Sequence, residues 1–370
     1  MVFATIASFI GYSVLIYLLY VIIRSLYHYL ILPRIGPYAN TRWASTLKPW
    51  AVVSGGGSGI GRGFAEVLAK RGFNIIILGR SRVSLMECEE AIHSHSPNVE
   101  VISAEIDFSQ PSINWIPLVR SCIENRDIAL LVNNVGMNTE IPGPYTEHDY
   151  RHVNAMVNCN CSATLALTKL ILPLMKQNNK GGIIFLSSCT GVWACPLQAV
   201  YSATKAFIFK YAEALSEELR ISQIDVLILS PFYVQSKMSG FRRTSFLVPS
   251  AVKFAEHAIL FLGRTSAPQP MFSHFLLYCG FCLASLLPSR FLLWYQKGRM
   301  EDVRMKLERR RRRDNPPSDT RDLGPTLPRD SNDESRIRLD RDEDHDTYSG
   351  VDLSAFDPRT PFDSTPFSQY

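Results

Sequence analysis

Tyr201-Ser202-Ala203-Thr204-Lys205, with Ser188 thirteen positions upstream, holds the parts needed to move a proton at a carbonyl oxygen. No breaker interrupts Tyr201 to Phe209, and the run continues into Tyr211-Ala212-Glu213-Ala214-Leu215, so the pattern predicts a helix. Residues four apart share a helix face, which sets the Tyr201 phenol beside the Lys205 ammonium. A free phenol titrates near about 10, and a neighbouring cation favours its ionised form. The tyrosine is thereby brought toward the range where a general acid or base is useful. Ser188 follows Ile183-Ile184-Phe185-Leu186, the apolar run of a buried parallel strand. Ligands of open α/β sheets bind at such carboxyl ends. Taken alone, Tyr-x-x-x-Lys is a common surface pair, and its meaning depends on what accompanies it.

A glycine-rich turn accompanies it. The short strand Trp50-Ala51-Val52-Val53 runs into Ser54-Gly55-Gly56-Gly57-Ser58-Gly59-Ile60-Gly61, and helical Phe64-Ala65-Glu66-Val67-Leu68-Ala69 follows. Strand, glycine turn and helix together are the setting in which such a motif binds a dinucleotide. Glycines admit the pyrophosphate to the backbone, and the helix N-terminus offers N–H groups to it. A flexible linker is the alternative for the glycines alone. The second strand, Asn74-Ile75-Ile76-Ile77-Leu78, ends in Gly79-Arg80-Ser81-Arg82 with no acid. An acid there would accept from the ribose hydroxyls of NAD; Arg80 instead suits the 2′-phosphate of NADP. The expected cofactor is therefore NADP(H), used in the reducing direction.

These residues, in this order, resemble the short-chain dehydrogenase/reductase family, whose pattern is Thr-Gly-x-x-x-Gly-x-Gly, Asn-Asn-x-Gly, Ser and Tyr-x-x-x-Lys. Asn133-Asn134-Val135-Gly136 follows the apolar strand Ile128 to Val132. Asn160 lies in the next helix, and Pro231-Phe232-Tyr233-Val234-Gln235-Ser236 stands where the family has Pro-Gly-x-x-x-Thr. The resemblance covers residues 48–265. It implies an α/β fold, a Rossmann-type doubly wound parallel sheet. It also implies a catalytic tetrad of Asn160, Ser188, Tyr201 and Lys205. The implied cofactor contacts are Ser54, Gly55, Gly57, Ser58, Gly59, Ile60, Gly61, Arg80, Asp107, Asn134, Tyr201, Lys205, Val234 and Ser236. In this scheme Asp107 meets the adenine and Asn134 closes the pocket beside the adenosine. Asn160 holds a water next to Lys205. Ser54 and Ser236 replace family threonines and keep the hydroxyl.

Asn-Asn-Val-Gly-Met, Tyr-Ser-Ala-Thr-Lys and Pro-Phe-Tyr-Val resemble the 17β-hydroxysteroid dehydrogenases that double as very-long-chain 3-oxoacyl-CoA reductases. The Trp50 to Gly55 entry and Phe246-Leu247-Val248-Pro249-Ser250 resemble the hydroxysteroid dehydrogenase-like proteins, some of which lack the tyrosine and the activity. The substrates implied are a long-chain 3-oxoacyl-CoA first and a 17-ketosteroid second, with an inactive NADP-binding scaffold as the alternative. Basic Lys237, Arg242 and Arg243 could meet coenzyme A phosphates or simply be solvated. A homodimer is a further expectation by analogy.

The remaining segments differ from this core. Val2 to Ile23 is uncharged and apolar, and about twenty such residues cross a hydrocarbon core. Residues 1–32 are thus expected to form a transmembrane anchor. Arg24, Arg34, Arg42 and Lys48 follow it, which places the catalytic domain in the cytosol. An endoplasmic reticulum membrane is the expected location, with the mitochondrion as alternative. Residues 266–298 form a second apolar region, expected to lie in or on the membrane, with a second span or a buried core helix as alternatives. Residues 299–314 form a basic helix ending in Arg309 to Arg313, suited to anionic lipid; no nucleic-acid fold accompanies it. Residues 315–370 carry thirteen acidic against six basic residues and few aliphatics, and are expected to be a disordered acidic tail. The net charge of +5 over 370 residues therefore conceals a strongly basic body. Eight scattered cysteines suggest no disulfide framework, and Cys279-Gly280-Phe281-Cys282 lacks the further ligands of a metal site.

Overall fold

Alternation along the strands decides the layering. In the computed structural model, which describes residues 2–27, 31, 48–236, 238–241, 243–265 and 269–314, six parallel strands form one sheet. They are β1 Trp50–Ser54, β2 Asn74–Gly79, β3 Val101–Glu105, β4 Ile128–Asn133, β5 Gly181–Leu186 and β6 Ile224–Leu229, in the spatial order β3-β2-β1-β4-β5-β6. Successive side chains point to opposite faces. Ala51, Val53, Ile75, Ile77, Leu130 and Val132 enter one core, and Val52, Ile76, Leu78, Leu131, Ile183 and Phe185 enter the other. Both faces are apolar, as the near-continuous hydrophobic strands require.

The first core is covered by α2 Gly59–Lys70, α3 Arg82–His95 and α9 Ala251–Ile259. The second is covered by α4 Ile116–Ile123, α6 Ala163–Gln177 and α8 Ala199–Glu218. α6 continues α5 Tyr150–Val157 through a π-turn at Asn158–Ser162. Sheet order reverses between β1 and β4, which pair with Val53 opposite Val132. The crevice at their carboxyl ends is the topological switch point, where such folds take their ligands.

Three helices lie outside this doubly wound body. α1 Val2–Leu26 has its apolar side chains exposed at consecutive positions from Val14 to Tyr17, hence on every face. α10 Phe272–Ala284 and α11 Ser289–Asp314 follow α9. α10 is docked through His274, which is fully buried, with its Nε2 3.1 Å from the Tyr233 carbonyl oxygen. α11 is one helix from Ser289 onward, so the basic run belongs to the same rod as Phe291 and Trp294. The boundary expected at residue 298 falls inside it. Its Arg304 is paired with Glu147 at 2.9 Å and with Glu308 at 2.8 Å. The acidic tail lies outside the described residues.

Close approach between α2 and α9 rests on Gly63. A Cβ there would stand 2.5 Å from the Ala251 carbonyl oxygen and 2.6 Å from its carbon. Alanine gains about 1 kcal/mol of helix propensity over glycine, but overpacking against backbone costs about 1–3 kcal/mol. Gly63→Ala is therefore expected to destabilise the chain, read as a lowered midpoint in urea unfolding; a raised midpoint would show that the two helices can part freely.

Candidate functional site

At the switch point Ser54 ends β1 with its hydroxyl fully used. Oγ donates to the Val132 carbonyl at 3.1 Å and accepts from the Asn134 and Val135 amides at 3.0 and 3.1 Å. The Asn134 side chain in turn donates to the carbonyls of Ser54 and Gly55, at 3.0 and 3.2 Å. The glycine turn is thus fastened to the end of β4. Gly61 makes that possible, because a Cβ on it would lie 2.2 Å from the Gly55 oxygen and 2.5 Å from Asn134 Nδ2. α2 begins at Gly59, and its N-cap, Ser58, is exposed and makes no side-chain capping bond. Gly57 and Ile60 complete this turn. Ser236 reaches it from beyond β6, its Cβ lying 3.1 Å from where a Cβ on Gly59 would sit. Buried Val234 and its carbonyl, which accepts from Ser239 Oγ at 2.6 Å, hold that segment in place.

Arg80, exposed just past β2, lies within electrostatic reach of Asp107, just past β3. Burial pushes the Asp107 carboxyl up, but Ser109 donors at 2.7 and 3.0 Å and the Arg80 charge together bring it below the ordinary range. A bare-backbone cradle, a helix N-terminus and a neighbouring cation fit a dinucleotide's pyrophosphate and ribose phosphate.

Asn160, Ser188, Tyr201 and Lys205 are brought together on the opposite side of the crevice. Asn160 sits in the π-turn, a local widening common at functional sites. Its Oδ1 accepts from the Met137 amide at 2.7 Å, and its Nδ2 donates to the Met137 carbonyl and to Thr204 Oγ1, at 3.0 and 2.9 Å. Both amide hydrogens are therefore spent on protein. A Cβ on Gly136 would stand 3.3 Å from Lys205 Nζ and 3.4 Å from Asn160 Oδ1, so both atoms pack against this glycine. Ser188 caps the short α7 Cys189–Val192, accepting from the Thr190 amide at 3.2 Å and from its hydroxyl at 3.0 Å.

Lys205 is buried, and its Nζ donates to the Leu186 carbonyl at 2.8 Å while standing 5.8 Å from the Tyr201 ring centre. Burial without a carboxylate brings this ammonium down to about 8. Burial also pushes the Tyr201 phenol well up, and the Ser188 side chain pulls it partly back. The sequence argument expected Lys205 to lower the phenol. Here its ammonium is aimed at the Leu186 carbonyl, and desolvation of the phenol dominates.

Thr204 was not signalled by the sequence pattern. Its hydroxyl joins the Tyr201 carbonyl, at 2.8 Å, to Asn160. Ser187 and Gly191 were missed as well. Ser187 Oγ donates to the Lys205 carbonyl at 2.7 Å, and Gly191 lets α7 lie against that same backbone. Past the tetrad, Trp193 and Phe232 meet Tyr278 and Phe281 of α10 at ring separations of 5.0 to 5.6 Å. Arg243 is the described member of the basic loop; Lys237 and Arg242 lie outside the described residues.

The depressed ammonium fixes a pH window. A lysine at about 8 in the folded chain and 10.5 in the unfolded one is a stability cost below pH 8. That cost fades as pH rises, since the unfolded chain then binds more protons. From pH 9.0 the buried thiols, Cys88 and Cys159 among them, act oppositely because burial holds them protonated in the folded chain. Lys205→Met should therefore remove a rise in melting temperature between about pH 8 and 9. Parallel profiles for the two proteins would overturn the assignment.

Comparison with known proteins agrees with this geometry. The family model described as short chain dehydrogenase matches residues 49–245. A zebrafish (Danio rerio) protein named very-long-chain 3-oxoacyl-CoA reductase-B is 33% identical over 261 residues, 70% of this chain and 82% of its own length. A Neurospora crassa very-long-chain 3-oxoacyl-CoA reductase is 33% identical over 232 residues, 62% of this chain and 70% of its own. Among solved structures, a short-chain dehydrogenase from Sphingobium yanoikuyae in complex with NADPH shares the fold, with a TM-score of 0.56 and 23% identity over 64% of this chain and 94% of that one. The chain belongs to the short-chain dehydrogenase family of nicotinamide-dependent oxidoreductases.

Proposed function

We propose that the chain is a membrane-attached, NADPH-dependent reductase of long-chain 3-oxoacyl-CoA, with Asn160, Ser188, Tyr201 and Lys205 as its catalytic residues. One observation carries the reading: the Tyr201 phenol, the Ser188 hydroxyl and the Lys205 ammonium converge on the crevice opposite the glycine turn. The relatives' names supply the substrate class. When held by the glycine turn, a nicotinamide cofactor would provide the hydride for reduction of the ketone carbon. The rest of the chemistry belongs to the chain.

Tyr201 delivers its proton to the developing alkoxide, and a phenol held protonated by burial is in the right state to do so. Ser188 donates to the same oxygen and stabilises its charge. To do this its hydroxyl turns from Cys189 Sγ, a weak 4.0 Å partner, while Thr190 keeps it in place. Lys205, at about 8, exchanges a proton readily near neutral pH.

Arg80 holds the 2′-phosphate, and Asp107, Asn134, Val234 and Ser236 frame the rest of the cofactor site with the glycine turn. α1 is the anchor: its 25 residues, at about 1.5 Å each, exceed a hydrocarbon core of about 30 Å. The apolar stretch Tyr150–Gln177 is also long enough, but half of its most apolar window is buried in the fold as α5 and α6. An endoplasmic reticulum membrane, with the domain in the cytosol, follows from this anchor and from the relatives' chemistry.

NADPH oxidation by the full chain in detergent, offered long-chain 3-oxoacyl-CoAs and steroid ketones, tests the reading. Tyr201→Phe should lower kcat about a hundredfold to ten-thousandfold and leave NADPH binding intact. Retention of the parent rate would remove Tyr201 from the mechanism, turnover of steroids alone would replace the substrate, and NADPH binding with no turnover would favour a scaffold. Arg80→Ala should cost about 1.5–3 kcal/mol in NADPH binding, roughly ten- to a hundredfold in its KM. The KM for NADH should hardly move. Equal losses with both cofactors would show that Arg80 does not read the phosphate.

A further inference from the structure

α10 has two unlike faces. His274, Tyr278 and Phe281 form one stripe, which lies against Phe232 and Trp193 on the substrate side of the crevice. Phe272, Leu276 and Leu283 form the opposite stripe and are exposed. The exposed surface continues through the elbow into α11. Leu286 is 82% exposed, Leu283 and Trp294 are each 68%, and Leu287 and Phe291 are half exposed. The loop after β6, which Tyr233 ties to α10 through His274, adds exposed Phe241 and Phe246. Apolar patches of this kind mark a contact with a protein or a membrane.

Two observations select the occupant. α11 carries exposed Arg309 to Arg313 on the same rod as Trp294, about 25 Å away at 1.5 Å per residue. Aromatic residues favour the membrane–water interface, and a cluster of arginines favours anionic headgroups. Tyr17 of α1 lies within electrostatic reach of Tyr278, so α10 adjoins the apolar helix α1.

We propose that the α10–α11 elbow is a second membrane contact: Leu283, Leu286, Leu287, Phe291 and Trp294 enter the surface of a bilayer, and Arg309 to Arg313 rest on its anionic headgroups. α10 is then the wall between lipid and crevice. The contact goes beyond anchoring by α1 and does not depend on the identity of the substrate.

The full chain, reconstituted into vesicles of brominated phosphatidylcholine with or without phosphatidylserine, tests it through tryptophan fluorescence. The chain has five tryptophans, so the parent is compared with Trp294→Phe. Bromolipid should quench the parent, and Trp294→Phe should lose most of that quenching. Phosphatidylserine should strengthen it, and replacing Arg309 to Arg313 by glutamine should cancel the increment, each arginine contributing about fivefold to binding of the anionic surface. Quenching equal in the parent and Trp294→Phe overturns the proposal; if the parent then cross-links to itself through the elbow, a second copy is the occupant. Quenching indifferent to phosphatidylserine overturns the headgroup contact and the orientation it imposes. Flotation with the vesicles reports α1 separately. A chain that floats with Trp294 unquenched loses the elbow contact alone, and one that does not float loses both.

Discussion

The hydroxyl of Ser54 is the interaction from which the site is hung. A hydroxyl has one hydrogen to give and two lone pairs to share, and all three are engaged, with Val132, Asn134 and Val135. The residue is completely buried at the place where sheet order reverses. Without its oxygen, the two amides beyond β4 would lose their partner, and an unsatisfied buried donor costs about 1–3 kcal/mol. From this point an unbroken polar chain crosses the crevice. Asn134 closes on the glycine turn, Met137 three residues later is clasped by Asn160, and Asn160 meets Thr204, which holds the Tyr201 carbonyl. The two halves of the site are therefore set by one network rather than by two independent motifs.

Lys205 is the costly member of that arrangement. Its ammonium is buried with a carbonyl and no carboxylate nearby, which accounts for its fall to about 8. Two further bonds fix the α8 backbone around it: Ser187 Oγ to its own carbonyl, and Thr204 to that of Tyr201. The helix is thus held against the sheet while the Lys205 charge stays poorly solvated. On the proposed function, a ligand hydroxyl near Nζ would supply the missing acceptor, so ligand binding and retention of the lysine charge would favour each other.

Much of this was legible from the residues. Apolar runs bounded by glycine marked β1, β2, β4 and β5, and the four-residue spacing of Tyr201 and Lys205 is the spacing that brings Nζ over the ring. What was not legible has a common cause. The clasp of Asn160 on Met137 and the bond from Ser187 to a backbone carbonyl join segments 23 and 18 positions apart through polar atoms that leave no periodic trace. The direction of the phenol's titration escaped for a different reason. Spacing tells which groups are neighbours, whereas desolvation depends on everything packed around them, and here it outweighs the neighbouring cation. The course of α11 was also hidden: the change from apolar to basic composition at residue 298 looks like a boundary, yet nothing there breaks a helix, and Gly298 costs only about 1 kcal/mol against alanine.

The same composition change explains why the C-terminal helices cannot be treated as an appendage. Covering a large apolar side chain is worth about 1.5–3 kcal/mol, so a run containing Leu283, Leu286, Leu287, Phe291 and Trp294 forfeits several kcal/mol if left in water. The inner face of α10 is no substitute, since it is already filled by Trp193 and Phe232. A soluble enzyme could cover the crevice with a helix polar on its outer side at no such cost. That this helix is apolar on both faces is therefore informative about its surroundings. It can separate an apolar site from an apolar solvent without presenting a polar barrier to a chain passing between them. On the proposed function, a long acyl substrate, whose tail would partition into the bilayer, is the kind of molecule for which that wall would be suited.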